Sequence, residues 1–328
     1  MRVLVLGGTV FVGRHVVEAA VARGHEATLF HRGQTGAELF PQLEHLLGDR
    51  DGDLAALAGR RFDAIVDTSG YVPRVVAASC EALADSGRYL FVSSVSAYAE
   101  EATRFDEDGG PTDAAPRSED VSLHYGALKA ACEEVVRERF GERALIVRPG
   151  LIVGPHDPTN RFTYWVRRLT EGGDVLAPAP PERAVQFIDV RDLAEWMVRA
   201  LEDGLDGTFN GTGDSTTLGA VVEACALAGG SDARIVWVDE ALLVDAGVAP
   251  YTELPLWIPD SEDPHGRFGG TPNAKAVAQG LTFRPLEETV ADTLAWVRTE
   301  PVVTGSRVVA PGGLAPERER ELLARVAA

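Results

Sequence analysis

Lysine is nearly missing from this sequence: its 328 residues contain two, Lys129 and Lys275. Every other cationic side chain apart from histidine is arginine. A lysine at a particular place therefore invites a specific job, because guanidinium differs from ammonium in geometry and hydration. Cysteine is scarce as well. Cys80, Cys132 and Cys225 are odd in number, far apart, and set in apolar or helix-like surroundings. They read as small buried hydrophobes in a reducing compartment, which excludes a disulfide framework. Neither they nor the seven histidines show metal-ligand spacing, so no metal is expected. No run of about 18 apolar residues occurs, which excludes a membrane-spanning helix. The opening run Arg2–Leu6 reads as a strand and lacks the regions of a signal peptide, so a cytoplasmic location is the expectation. Positive charge is in deficit, with a net charge of −19. Nucleic-acid binding draws on a basic face that displaces counterions, so neither nucleic acid nor an anionic membrane is an expected partner.

What is present is an ordinary globular composition, 45% hydrophobic and 25% charged. The first 150 residues alternate apolar strand-like runs with amphipathic helix-like runs. Strands are predicted at 2–6, 27–30, 44–47, 64–67, 89–93 and 144–148. Helices are predicted at 13–23, 74–84 and 125–140. Strands apolar throughout and separated by helices imply a parallel sheet covered on both faces. With right-handed crossovers this is an α/β Rossmann fold, a doubly wound sheet. After Pro149 the rhythm changes, with helical runs at 192–201, 218–227 and 316–326 and a long irregular stretch at 245–272. The expected division is a dinucleotide-binding domain over 1–155, rejoined by 184–212, and a smaller C-terminal substrate-binding domain over 156–183 and 213–328.

Gly7-Gly8-Thr9-Val10-Phe11-Val12-Gly13 ends the first strand and opens a helix, the setting a dinucleotide fingerprint requires. Glycines allow a tight turn and close approach of backbone N–H groups to a pyrophosphate, which the helix N-terminus also attracts. Val10 stands where the usual spacing has a middle glycine. At the end of the second strand, Leu29-Phe30-His31-Arg32 offers no carboxylate for an adenosine ribose. Arg32, or a protonated His31, suits a 2′-phosphate, which favours NADP, with NAD as the alternative. Asp49 and Arg50, after the third strand, are further cofactor candidates, Asp49 as an acceptor for the adenine amino group.

Tyr125-Gly126-Ala127-Leu128-Lys129 sets a phenol and an ammonium one helical turn apart on one face. The positive charge favours phenolate, and a phenol so tuned can pass a proton to or from a carbonyl or alcohol while hydride moves. Ser94, at the end of the fifth strand, lies where open α/β sheets build their sites, and its hydroxyl suits the substrate oxygen.

Together these residues resemble the short-chain dehydrogenase/reductase superfamily in its extended form, the NAD-dependent epimerase/dehydratase family. The likeness runs through Ser93-Ser94 and Tyr125–Lys129 to Arg148-Pro149-Gly150-Leu151-Ile152-Val153-Gly154-Pro155, Phe187–Ala194 and Phe209-Asn210. The loop Gly-Gly-Thr-x-Phe-Val-Gly is similar to that of an atypical subgroup, whose members carry labels from reductase and sugar epimerase to chloroplast RNA-binding protein. The resemblance implies that Ser94, Tyr125 and Lys129 are catalytic. It also implies that Thr68, Ser69, Gly70, Pro149 and Gly150 lie along the cofactor. Val185 replaces the arginine with which nucleotide-sugar enzymes of the family grip a diphosphate, and Arg183 is the nearest substitute. Arg161, Tyr164, Trp165, Gln186 and Trp257 are candidates for the substrate pocket. Glu100, Glu101 and Asp189 are candidates for the extra acid/base group of an epimerase or dehydratase. Three functions stay open: reductase or dehydrogenase, epimerase or dehydratase with retained cofactor, and a non-catalytic nucleotide-sensing or RNA-associated protein. The expected partner is a small-molecule substrate, and the resemblance makes a homodimer a candidate assembly.

Overall fold

The computed structural model describes residues 1–99, 102–107, 112, 116–299 and 312–326. The chain forms two compact units. The first comprises Met1–Gly150, Val190–Thr212 and Thr271–Thr282; the second comprises Leu151–Asp189, Gly213–Gly270 and Phe283–Ala328.

The first unit is built on seven strands: β1 (Arg2–Leu6), β2 (Glu26–His31), β3 (Glu44–Leu47), β4 (Ala64–Asp67), β5 (Arg88–Val92), β6 (Ala144–Pro149) and β10 (Gly207–Gly211). Their order across the sheet is β10-β6-β5-β4-β1-β2-β3, and every pairing is parallel. This is the doubly wound Rossmann arrangement. The order reverses between β1 and β4, so the carboxyl ends of those two strands flank the crevice where such sheets bind ligands. Helices α1 (Phe11–Ala22) and α5 (Val190–Glu202) pack together, as do α2 (Pro73–Ala82) and α3 (Val121–Phe140); α9 (Ala274–Ala278) follows β10 in space. Alternation along the strands explains the layering. Leu4, Leu6, Ile65, Tyr89, Phe91 and Ile146 join Cys80, Cys132, Val136 and Phe140 of α2 and α3 in one buried cluster. All three cysteines are buried and free.

In the second unit, β7 (Leu151–Val153), β9 (Ala184–Asp189) and β11 (Ser215–Thr217) form a three-stranded sheet in the order β11-β9-β7. Strands β8 (Asp174–Pro178) and β12 (Arg234–Val238) pair in parallel. Helices α4 (Phe162–Glu171), α6 (Leu218–Gly229), α7 (Glu240–Asp245), α8 (Arg267–Gly270), α10 (Leu286–Val297) and α11 (Pro316–Val326) complete it. Its core holds Trp165, Trp257, Phe162, Leu176 and Val222.

Three segments fall outside the division read from the sequence, the first being residues 151–155, which carry β7 and belong to the second unit. Residues 184–189 belong to the second unit, because β9 pairs with β7 and β11 rather than with the large sheet. Residues 271–282 belong to the first. Asn210 Nδ2 donates to the Pro272 carbonyl, Trp196 Nε1 to that of Gln279, and Arg199 to that of Gly280. Among the described residues no helix is long and apolar enough to cross a membrane.

Candidate active site

The glycine loop joins β1 to α1 at the carboxyl edge of the first unit's sheet. Gly7 has φ 94°, a left-handed conformation that an L side chain rarely adopts. A Cβ at Gly13 would lie 2.1 Å from the Gly7 carbonyl oxygen, so the helix can sit this close to the strand end only as glycine. Val10, the off-pattern residue, is extended (φ −131°, ψ 135°) and 42% exposed, so its side chain does not fill the turn. It caps α1 without a side-chain hydrogen bond, and the first turn carries no acidic residue. Among the described residues no carboxylate partners the N–H groups there, and a phosphate suits that place. The cradle and the uncapped terminus fit a dinucleotide diphosphate.

Several residues expected to touch the cofactor are committed elsewhere in the first unit. Thr68 Oγ1 and Ser69 Oγ both donate to the Leu6 carbonyl, stapling the end of β4 to the start of the glycine loop. Arg50 is buried and makes a two-pronged pair with Asp67 at 2.5 and 2.7 Å, with further bonds to Ser79 Oγ and Ser69 Oγ. It is a structural cation, not a cofactor ligand. His31 is buried, with both ring nitrogens in hydrogen bonds, so it does not reach a 2′-phosphate. One Asp49 carboxylate oxygen accepts from the Asp51 N–H in a local turn. Arg32 is exposed, and no other described residue pairs with its guanidinium.

The reacting-centre candidates lie on β5 and α3. Ser93 and Ser94 part company at the strand end. Ser93 points inward and donates to Glu133 at 2.5 Å, whereas Ser94 caps the short turn Val95–Ala97 by accepting from the Ser96 N–H at 3.0 Å. With that acceptor role filled, the Ser94 O–H hydrogen is left to donate. Helix α3 is kinked at His124 (φ −131°, ψ 30°), immediately before Tyr125. Gly126 then lets it press on the turn: a Cβ there would come within 2.0 Å of the Ser96 carbonyl oxygen. Tyr125 and Ser94 are thereby carried by two elements in direct backbone contact.

Lys129, 2% exposed, donates through Nζ to the carbonyls of Gly70 (2.8 Å) and Val92 (2.7 Å). It lies over the rings of Tyr71 and Phe91 at 4.9 and 4.6 Å. Two of its three N–H groups thus hold the ends of β4 and β5, and one remains. Burial pushes the ammonium down to about 8 from its ordinary 10.5, against the attraction of Asp67. Between those values the unfolded chain holds the proton more tightly than the folded one, so this group makes stability rise with pH from about 8 to about 10.5. Lys129→Met should flatten that slope in urea midpoints measured across the window; an unchanged slope would show that Lys129 is not the group.

Two features of this edge were not singled out in the sequence. Tyr71 follows Gly70, and its ring lies 6.4 Å from that of Tyr125. Glu133, one turn beyond Lys129 on α3, is fully buried and accepts from Ser93, twice from Arg148, and from Arg137. Arg148 in turn lies 4.5 Å over Tyr98, whose hydroxyl donates to Asn210. A helical spacing of four from Lys129 was the available clue to Glu133. Pro149 ends β6, and Gly150 approaches Thr212.

The residues expected to line a substrate pocket belong to the second unit and are mostly structural. Tyr164, Trp165 and Trp257 are core side chains; burial pushes the Tyr164 phenol up, and Trp165 Nε1 donates to the Pro255 carbonyl. Arg161 bonds to Thr159 and Tyr251, and Gln186 Nε2 to the Gly213 carbonyl. Arg183 pairs with Glu240 and Asp260, so it does not replace the missing diphosphate arginine. Asp189 is buried and accepts from Thr289. Glu100 and Glu101 lie outside the described residues. No metal-binding cluster occurs among the described residues. A cavity of about 410 Å³ opens at the amino ends of β1–β3, the edge opposite this site, and the Arg60–Glu44 pair lines it.

Residues 61–210 match the NAD dependent epimerase/dehydratase family. Among curated proteins, the chain is 28% identical over 253 residues to the chloroplast stem-loop binding protein of 41 kDa b of Arabidopsis thaliana, covering 70% of this chain and 63% of that protein. It is 32% identical over 162 residues to 2'-dehydrokanamycin reductase of Streptomyces kanamyceticus, covering 46% of this chain and 43% of that one. The chain thus spans less than two thirds of either relative. Its fold matches UDP-glucose 4-epimerase of Thermus thermophilus, solved with NAD, at a TM-score of 0.66 and 20% identity, covering 92% of this chain and all of that one.

Proposed function

We propose that this chain, whose residues 61–210 match the NAD dependent epimerase/dehydratase family, is an NADP(H)-dependent reductase or dehydrogenase acting at a ketone or secondary alcohol of a small sugar-like or secondary-metabolite substrate. One observation carries the reading: a glycine cradle with an uncapped helix terminus shares a sheet edge with Ser94, Tyr125 and Lys129. When bound, a nicotinamide dinucleotide supplies or accepts the hydride. The loop Gly7–Gly13 and the positive end of α1 hold the diphosphate, and Arg32 pairs with the 2′-phosphate. Tyr125 Oη gives its proton to the substrate oxygen during reduction and recovers it during oxidation. Ser94 Oγ donates to the same oxygen, and the remaining N–H of Lys129 serves the ribose.

For the epimerase or dehydratase reading, the one described candidate for the extra acid/base group, Asp189, is buried and accepts from Thr289. Net consumption of NADPH over a panel of ketones and keto-sugars separates the two, since an epimerase leaves the cofactor unchanged. A relative's name raises stem-loop binding, but the net charge of −19 opposes it. The reductase reading expects steady NADPH loss with at least one panel member and no salt-sensitive RNA binding. Substrate conversion without net NADPH loss contradicts it.

A further inference from the structure

His31 ends β2, and His45 sits on β3 two residues before Leu47, the partner of His31 in the strand register. The two side chains therefore share one face of the sheet, and their rings meet edge to face with centroids 5.0 Å apart. The hydrogen bonds around them run in one direction only. The Gly33 N–H can only donate, so it fixes His31 Nδ1 as an acceptor at 3.0 Å. His31 Nε2 then carries the proton and donates to His45 Nδ1 at 2.7 Å. His45 Nε2 carries the other and donates to the Phe40 carbonyl at 3.1 Å. Each ring is neutral in this chain of bonds, and an extra proton on either Nδ1 removes a link.

The relay spans the base of the loop 32–40, joining Gly33 at its start to Phe40 at its end. Phe40 is held in the left-handed region at φ 56°, a strained conformation for an aromatic residue that the surrounding bonds must maintain. The same loop lies against the glycine turn: a Cβ at Gly36 would come within 2.7 Å of the Thr9 carbonyl oxygen. Arg32 stands at the head of the loop with its guanidinium exposed and unpaired among the described residues.

We propose that the His31–His45 relay is a positioning device for cofactor choice, fixing the loop 32–40 so that Arg32 meets the 2′-phosphate of NADP(H). This rests on the reading of this edge as a dinucleotide site. His31 occupies the place of a ribose-binding carboxylate with a neutral ring whose acceptor is already used. It offers the ribose hydroxyls of NAD no anion, and the loop it ties down presents a cation instead. Neither histidine touches the cofactor; both act through Arg32.

The test uses NADPH and NADH titrations, read by quenching of protein fluorescence at pH 8, on wild type, His45→Leu and His45→Gln. Leucine removes the relay. Glutamine restores it, because its amide oxygen accepts from His31 and its amide nitrogen donates to Phe40. Loss of a held charge contact should weaken NADPH binding about tenfold or more in the leucine variant, leave NADH within about twofold, and be largely recovered by glutamine. Equal weakening of both cofactors, or unchanged NADPH binding, overturns the relay's role while leaving the dinucleotide site intact. No saturable binding of either cofactor by wild type overturns both. Independently of how the variants fold, ¹⁵N NMR of the wild-type imidazoles should show two neutral rings protonated at Nε2; an Nδ1–H tautomer or a charged ring contradicts the relay.

Discussion

Tyr125→Phe is expected to lower reduction of any ketone that the wild-type chain accepts by roughly 10²–10⁴-fold, the range for removing a positioned general acid. Cofactor affinity should hardly move. The phenyl ring keeps the contact with Tyr71 at the start of the regular part of α3. Lys129 continues to hold the Gly70 and Val92 carbonyls, and Ser94 its cap on Ser96. The measurement is a pair: steady-state NADPH oxidation with the accepted ketone, and NADPH titration of the same preparation. Retained turnover in Tyr125→Phe sinks the proton assignment, whatever the binding result.

The largest stability effect is expected at Asp67, the last residue of β4. Its buried carboxylate accepts from both Arg50 terminal nitrogens, the Tyr89 hydroxyl and the Ser69 N–H. Asp67→Ala leaves the Arg50 cation buried without its partner, an arrangement that costs about 3–5 kcal/mol. For a chain of this size that is a fall in Tm on the order of 10 °C. Replacing both partners by apolar residues, as in Arg50→Met with Asp67→Leu, should recover much of the loss, because it removes the stranded charge as well as the attraction. Calorimetry of the single and double variants checks this. A single variant as stable as wild type would mean that the Arg50–Asp67 pair adds nothing to the fold. The double variant should still bind cofactor, since Ser69 and Thr68 retain their bonds to Leu6.

Local pattern carried much of this molecule. Strand β1 was readable because Val3, Leu4, Val5 and Leu6 are apolar in an unbroken run, as burial on both faces demands. The glycine loop and the pair Tyr125 and Lys129 were readable because each is defined by short spacing on one element. What escaped depends on partners far apart in the chain. Arg50 read as a cofactor candidate in the sequence; its fate was decided by Asp67, 17 residues on and three strands over in the sheet order, at the end of β4. His31 looked like a phosphate ligand until the register of β2 and β3 set His45 beside it. Arg161, Tyr164, Trp165 and Trp257 were plausible pocket residues, and nothing in their spacing reveals that the second unit's core and loops use them. The boundary error at 184–189 has the same origin: an apolar strand does not announce which sheet it joins.

The roles proposed for Ser94, Tyr125, Lys129 and Arg32 all require a dinucleotide bound at the carboxyl edge of β1. The measurement that tests it most directly is titration of the purified wild-type chain with NADPH and NADH, together with mass spectrometry of any nucleotide released on denaturation. Saturable binding, tighter for NADPH than for NADH and weakened by Gly13→Val, is the predicted result. A folded protein that carries no nucleotide and saturates with neither cofactor would contradict it.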